Sequence, residues 1–393
     1  MRMRRCAIVH LEPRERLIFD LALLGEGGNG LRNVIEWIAL APHLDDEVTL
    51  SAQAALVLGA ISPSVWCERD DLFAAHPHAS IEVLRVEGLL IAEGSTEAAR
   101  DERVRATHWR GTSAVMHYAS RWRGVDTRKA EQRYTELSEG SLLDQLGPAP
   151  PPVRERSAAG QRQSLLRPES SPLDALLARR VTCRNYDRSR PLILDQFSTI
   201  LYRVFGARAV NDYAPGVQLL KKGVPSAGGL HATEAYLLVQ RVDGIAPGLY
   251  HYHPVDHALE PVRMLGDDEA AVLATRFVAA QTYFADAHVL VIPAARFGRN
   301  FWKYRNHSKA YRALILDVGH LSQTLYLAAT ELGLAAFITA AVNEVDIEQA
   351  FGLDALEEGP LAVCGFGYRG AERREVEFDP NHAVWPLGEA LVQ

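Results

Sequence analysis

The stretch NFWKYRNHSKAYR, residues 300–312, holds seven side chains that can give or take a proton: Lys303, Tyr304, Arg305, His307, Lys309, Tyr311 and Arg312. By spacing alone it reads as the solvated start of a long helix. The adjacent Lys303 and Tyr304 could equally take up and relay a proton. A second group is Arg180, Thr182 and Arg184 in RRVTCRNYD. In an extended segment, alternate positions point to one face. Two guanidiniums and a hydroxyl on one face suit a phosphate or a polarised ring carbonyl, because arginine donates bidentately. An exposed basic turn would look the same. A third group is GVPSAGGLHATEAYLLV. Gly228 and Gly229 let a backbone approach a ligand closely. Ser226 and the N–H groups after it could form an anion nest, between Pro225 and Ala227 on either side. The stretch is neither a P-loop nor a dinucleotide fingerprint, and it leads into a strand. The fourth group lies on the long helix, where Asp317, His320 and Thr324 make a polar stripe with Gln323 beside it. A solvent-facing stripe or a satisfied core histidine is the plain alternative. Further on, LGLAAFITAAVNE carries Thr339 and Ala340, whose backbone could meet a planar ligand or simply belong to a core strand.

The elements that must position these residues alternate between helix and strand over the second half of the chain. SPLDALLARR reads as a helix capped by Ser171, and LDQFSTILYRVFGA as another closing near Gly206. ATEAYLLVQRV, DAHVLVIPAARF and GPLAVCGFGYRG read as strands, and GLYHYHPVDHALEPV as a hairpin. In SKAYRALILDVGHLSQTLYLAATELG, Tyr311, Leu314, Ile315, Val318, Leu321, Leu325, Ala328 and Leu332 keep helical spacing up to Gly333. The first half reads differently: CAIVHLEPRERLIFDLALLG opens strand-like and moves into apolar spacing. A helix in TLSAQAALVLGAIS, a short one in PSVWCERDDLFAAHP and a third in ASIEVLRVEGLLIAEG follow the order of a winged helix-turn-helix. The third helix carries one arginine and two glutamates, which does not suit DNA. Capture of a peptide by strand addition suits it better, with a packing domain as the alternative. Residues 96–145 are polar and partly helical in pattern, with HWRGTSAVMHYASRWRG as their most apolar piece. Residues 147–172 are rich in Pro, Ser, Arg and Gln and read as a linker. Three regions are therefore expected: a winged-helix-like domain over 1–95, a connecting region over 96–172, and the main domain over 173–393.

A chain of 393 residues, 48% hydrophobic and 23% charged, suits a soluble protein of two domains. A net charge of -7 gives no electrostatic case for nucleic acid. No run approaches the roughly 18 apolar residues of a membrane span. Charge returns too soon after MRMRRCAIVH for a signal peptide. The four cysteines, Cys6, Cys67, Cys183 and Cys364, show no metal or redox spacing, and a cytoplasmic setting fits them.

Taken in order, Arg-x-Thr-x-Arg, Pro-Ser-Ala-Gly-Gly, GLYHYHP, Lys-Tyr, YRALILDVGHLSQ and the closing CGFG resemble the FMN-dependent nitroreductase superfamily. Within it the chain is most similar to the SagB-type dehydrogenases of ribosomal peptide maturation. The resemblance covers about residues 173–370. Thr182 stands where the family usually has serine, and His231-Ala232 where it often has an aliphatic residue and Tyr-Pro. The fold it implies is α+β: a nitroreductase-like mixed sheet flanked by helices, behind the small winged-helix-like domain. It implies FMN as cofactor at a homodimer interface, held by Arg180, Thr182 and Arg184, with Pro225, Ser226 and Ala227 lining the ring. Gly228 and Gln323 are counted with this set. The backbone at Thr339 and Ala340 would lie near the flavin N5, and Arg369 would add a phosphate contact. Lys303 and Tyr304 match the family's Lys-Tyr pair, with the lysine as base and the tyrosine as relay or orienting group. The expected substrate is a precursor peptide, oxidised by two electrons as in azoline to azole, with a cyclodehydratase as a partner. Two alternatives stay open. One is an NAD(P)H-dependent nitroreductase or ene-reductase acting on small molecules or dehydroamino acids. The other is a non-catalytic peptide scaffold.

Overall fold

Ser51, Ser95 and Ser171 each stand one residue before a helix, and each side chain accepts a backbone N–H of the first turn. This computed structural model describes residues 1–128, 144 and 146–386. Those residues of the expected connecting region that number 129–143 and 145 lie outside the described residues. The chain divides into two compact units. The first is Met1–Arg121 with Ala295–Asp317 and Glu348–Gly359; the second is Trp122–Ala294, Val318–Ile347 and Pro360–Gln393.

The chain opens with β1 (Arg2–Arg5), β2 (His10–Phe19), α1 (Leu21–Gly25), β3 (Leu31–Leu40) and β4 (Val48–Leu50). Then come α2 (Ala52–Ala60), β5 (Cys67–Glu68), α3 (Arg69–Ala75), α4 (His78–Val86), β6 (Leu90–Ala92), α5 (Thr96–Ala106) and α6 (Gly111–Ala119). The three helices α2, α3 and α4 followed by strand β6 keep the order read from the sequence. The long hairpin does not follow the reading: β2 pairs with β3 over ten residues, from His10 opposite Leu40 to Phe19 opposite Leu31. CAIVHLEPRERLIFDLALLG reads as a strand-like opening that moves into apolar spacing, without a hairpin. Period-two alternation of Glu12, Arg14 and Arg16 was the signal for strand. Met3, Leu58, Ile81, Leu84 and Leu89 are buried at the centre of this part.

The second stretch runs α7 (Pro172–Arg179), α8 (Leu194–Val204), β7 (Ala207–Ala214), β8 (Val217–Lys222), β9 (Thr233–Val239), β10 (Gly248–His253) and β11 (Ala258–Met264). It continues with α9 (Asp267–Phe277), α10 (Thr282–Ala285), β12 (Val289–Arg296), α11 (Phe297–Lys303), α12 (Ala310–Glu331), β13 (Ala335–Thr339), α13 (Glu344–Phe351), β14 (Glu358–Pro360) and β15 (Val363–Gly367). The main sheet runs β11-β10-β9-β12-β15-β13. Its apolar positions, among them Leu237, Val239, Val289, Val291 and Phe366, pack with Phe197 and Leu201 of α8 and with Leu321, Leu325 and Ala329 of α12. A mixed α+β fold with a nitroreductase-like sheet is what the motif order implied.

One local expectation is corrected. Lys303 and Tyr304 do not open the long helix. They end a separate one, with Tyr304 as the C-cap of α11. Asn306, at φ 51°, turns the chain. Buried Asn300 donates from Nδ2 to the carbonyl of Ala310, 3.0 Å away, and so fixes where α12 begins. The apolar spacing of α12 made the preceding residues look like its first turn.

Two buried histidines set an acid sensitivity. In the first unit His117 meets the Tyr311 hydroxyl at 3.0 Å and the Ala355 carbonyl at 3.2 Å, against Trp109 and Phe297. Burial lowers its pKa to about 3. In the second unit, burial likewise lowers that of His288 to about 4. The unfolded chain takes up these protons near the ordinary 6.5. This stability is therefore whole above pH 6.5 and is lost as pH falls from there toward the native values. The expected loss between pH 7 and pH 5 is about 2 kcal/mol per ring. Urea titration at the two pH values measures it, and His117→Asn should remove the share of the first unit. Equal midpoints at both pH values would contradict the assignment.

Candidate flavin site

The segment after α7 cannot continue as helix, because Arg180 has already turned to extended backbone (φ -72°, ψ 98°). It runs along β13, an edge of the main sheet, where Thr182 forms a parallel bridge with Ala336. The N–H of Cys183 donates to the Ala336 carbonyl at 3.0 Å. This pairing brings two predicted residues to one tyrosine. The Thr182 hydroxyl shares a hydrogen bond of 2.9 Å with the hydroxyl of Tyr326, and the Arg180 guanidinium lies 5.3 Å from the Tyr326 ring centroid. Burial raises the Tyr326 pKa, so the phenol keeps its proton. Arg180 is half-buried, and among the described residues its guanidinium has no carboxylate partner. A half-buried cation with no anion beside it fits a ligand phosphate.

Gln323 is exposed on α12, one turn before Tyr326 and therefore on the same side of the helix. Thr339 closes β13. Its hydroxyl donates to Gln281 Oε1 at 3.0 Å and accepts the N–H of Ala341 at 3.2 Å, and exposed Ala340 follows. Thr182, Tyr326, Thr339 and Ala340 are thus set by one strand and one helix. The loop Pro225–Gly229 precedes β9, three strands from β13 in sheet order. The Ser226 hydroxyl accepts the His231 N–H at 3.0 Å, and the Ser226 carbonyl accepts that of Gly229. Gly228 and Gly229 have φ of 60° and 70°, and a Cβ at Gly229 would meet open space. The glycines there serve the backbone turn.

Arg184 and Arg369 each already hold a partner within the protein. Arg184 Nη1 donates to the Val376 carbonyl at 3.3 Å, and its guanidinium lies 5.8 Å from the rings of Tyr283 and Phe284. It lines a polar cavity of about 470 Å³ with Tyr186, Arg188, Asp286 and Arg374. Arg369 pairs with the fully buried carboxylate of Glu377. Cys183, Cys364 and Cys6 are buried, and burial pushes each thiol up to about 12, so none is a nucleophile at neutral pH. The stripe on α12 does not act as a unit: Asp317 is buried, His320 exposed, and the Thr324 hydroxyl donates to the His320 carbonyl of its own helix.

Lys303 and Tyr304 belong to the first unit, whereas the flavin candidates belong to the second. Their helix is held by Phe297 and Phe301, which pack on Trp109, and the Trp109 indole donates to the Leu356 carbonyl at 3.0 Å. Lys303 is exposed, with Nζ 5.6 Å from the centroid of the Tyr304 ring. Sequence reading did not find Tyr326, Gln281 or Glu377. Only Tyr326 left a signal, its spacing of three from Gln323.

The nitroreductase family model matches residues 177–368, which holds the flavin candidates and the Lys-Tyr pair, Arg369 excepted. A nitroreductase-like protein of Methanocaldococcus jannaschii is 31% identical over 199 residues, 51% of this chain and 92% of that one. The chain belongs to the nitroreductase family. Two more relatives of this family member are peptide-processing proteins. The trifolitoxin-processing protein of Rhizobium leguminosarum bv. trifolii is 31% identical over 174 residues, 44% of this chain and 46% of that one. The microcin B17-processing protein of Escherichia coli is 27% identical over 172 residues, 40% of this chain and 58% of that one. The chain thus spans about half the length of these two. Among the described residues, no helix of this nitroreductase-family chain is long and apolar enough to cross a membrane, and no group of His, Cys, Asp and Glu is arranged to hold a metal.

Proposed function

We propose that this protein is an FMN-dependent dehydrogenase of the SagB type that oxidises a ribosomally made precursor peptide by two electrons, as in the conversion of an azoline to an azole. The observation that carries the cofactor half is Arg180, half-buried and without a carboxylate partner among the described residues, beside the Thr182–Tyr326 hydrogen bond. Similarity to two peptide-processing proteins supports the substrate half. Bound FMN supplies a two-electron acceptor. Arg180 and Thr182 would hold its phosphate and ring edge, with Arg184 and Gln323 completing that side. Pro225, Ser226, Ala227 and Gly228 would line the ring, together with the backbone of Thr339 and Ala340. Arg369 joins the set through Glu377. Lys303 Nζ would take the proton that leaves the ring carbon, and the Tyr304 hydroxyl would orient the substrate or pass that proton on.

Residues 1–95 would dock the leader peptide or a cyclodehydratase partner, residues 96–172 connect, and residues 173–393 form the flavin domain, in a cytoplasmic homodimer. Mass spectrometry of the co-expressed precursor tests the reading. A loss of about two hydrogens per site is the expected result, and a gain would mean reduction instead. Arg180→Ala should raise the dissociation constant of FMN about ten- to a hundredfold, as loss of a charged hydrogen-bonding partner does. Fluorescence titration reads it, and unchanged affinity would remove Arg180 from the site. The second reading, an NAD(P)H-dependent reductase of small molecules, is favoured by the match across 92% of the archaeal relative. Oxidation of NAD(P)H with a small nitro compound, and no change in the peptide, would select it.

A further inference from the structure

The residues after the last strand return to the clamp. Glu377 is buried, and both of its carboxylate oxygens are occupied. Oε1 accepts the backbone N–H of Arg184 at 2.6 Å, that of Asn185 at 3.1 Å and the Asn185 side-chain amide at 2.8 Å. Oε2 accepts Arg369 and the Trp385 indole N–H, the latter at 2.8 Å. The neighbours of Glu377 repeat the attachment. The Val376 carbonyl accepts the Arg184 guanidinium, the Glu375 carbonyl accepts the Asn185 amide at 3.0 Å, and Asn185 Oδ1 accepts the N–H groups of Arg374 and Glu375 at 2.8 and 2.7 Å. Asp379 closes the segment by accepting the N–H groups of Ala383, Val384 and Trp385. Five donors converge on this one buried carboxylate. Three of the five come from Arg184, which ends the Arg-x-Thr-x-Arg segment, and from Asn185 directly after it.

We propose that Glu377 is a positioning residue for the flavin clamp, and that the C-terminal strap 371–386 is part of the cofactor site rather than an appendage to it. The carboxylate fixes the backbone at Arg184, while the strap's Val376 carbonyl holds the guanidinium of the same residue. Backbone and side chain of Arg184 are therefore set by one segment. Arg369 neutralises the buried carboxylate, which would otherwise carry an uncompensated charge. Arg369 thus acts on the clamp through Glu377.

The inference rests on the flavin reading, and one experiment separates the two. FMN is titrated by fluorescence into the full-length wild-type protein, E377Q and W385F, with the melting temperature of each recorded. E377Q replaces an acceptor by an amide donor that faces other donors. W385F removes one hydrogen bond from the same carboxylate and leaves Arg184 and Asn185 anchored. Both variants should melt earlier, but only E377Q should bind FMN about tenfold or more weakly. A purely structural role would lower the melting temperature of both and leave both affinities at the wild-type value, which overturns the proposal. E377D keeps the charge and should recover most of the affinity. It also serves as the test variant, with an expected weakening of about threefold, if E377Q is recovered unfolded. Tighter binding by E377Q would make Glu377 a competitor for the site and would equally overturn the proposal. A wild-type protein that binds no FMN would overturn the flavin reading, and this inference with it.

Discussion

Replacing Lys303 by alanine is expected to cut conversion of the precursor peptide by about a hundredfold or more, the usual size of a lost general base. FMN content should stay at the wild-type level. The expectation follows from position as well as residue type. Lys303 ends α11, and Tyr304 caps it at the turn before α12. The helix is fixed by buried Phe297, Phe301 and Asn300, and all three stay in place when the exposed Lys303 is replaced. Tyr304→Phe keeps the ring and removes the hydroxyl. It should slow conversion less, by about tenfold, and shift its pH profile if the phenol passes the proton. Mass spectrometry of the peptide against time, with the flavin absorbance recorded for each variant, gives both numbers. Wild-type turnover in both variants would remove the pair from the chemistry. A parallel loss of flavin would mean a structural effect.

Gly365→Ala should lower stability by about 2–3 kcal/mol, the range of an overpacked core. Gly365 lies opposite Phe337 on β13, and a Cβ there would come within 2.2 Å of the Phe337 ring. The ring cannot withdraw easily. It is fully buried and stacked on Phe284, with centroids 4.0 Å apart and planes 8° from parallel. Because β13 also carries Ala336, the partner of Thr182, the substitution should loosen the clamp as well as the core. Urea titration measures the first effect and FMN titration the second. A change below about 0.5 kcal/mol, the level of an indifferent surface substitution, would show that the sheet yields at little cost.

The extent to which the chain could be read without its fold differs from element to element. Local rules operate within a few residues, and those readings hold in the structure. Ser171 caps α7, GLYHYHPVDHALEPV is the hairpin β10–β11, and the apolar spacing of the long helix gives α12, although Ile315 of that pattern is exposed. Residue type and order also sufficed for the family, because the motifs form an ordered set along the chain. What the sequence left open depends on partners far away in it. Alternation at Arg180, Thr182 and Arg184 allowed one shared face. The fold joins the first two at Tyr326 and places the Arg184 side chain on the C-terminal strap. Nothing near Arg369 showed that a buried Glu377 would hold it, because that carboxylate acquires its role from Arg184 and Asn185, 193 and 192 residues before it. The sequence by itself determined which elements form and which side chains are available for chemistry, since propensity, capping and periodicity act over short spans. Only the tertiary structure decided which cation is left without an anion and which is already neutralised, because burial and pairing of charge depend on the whole chain.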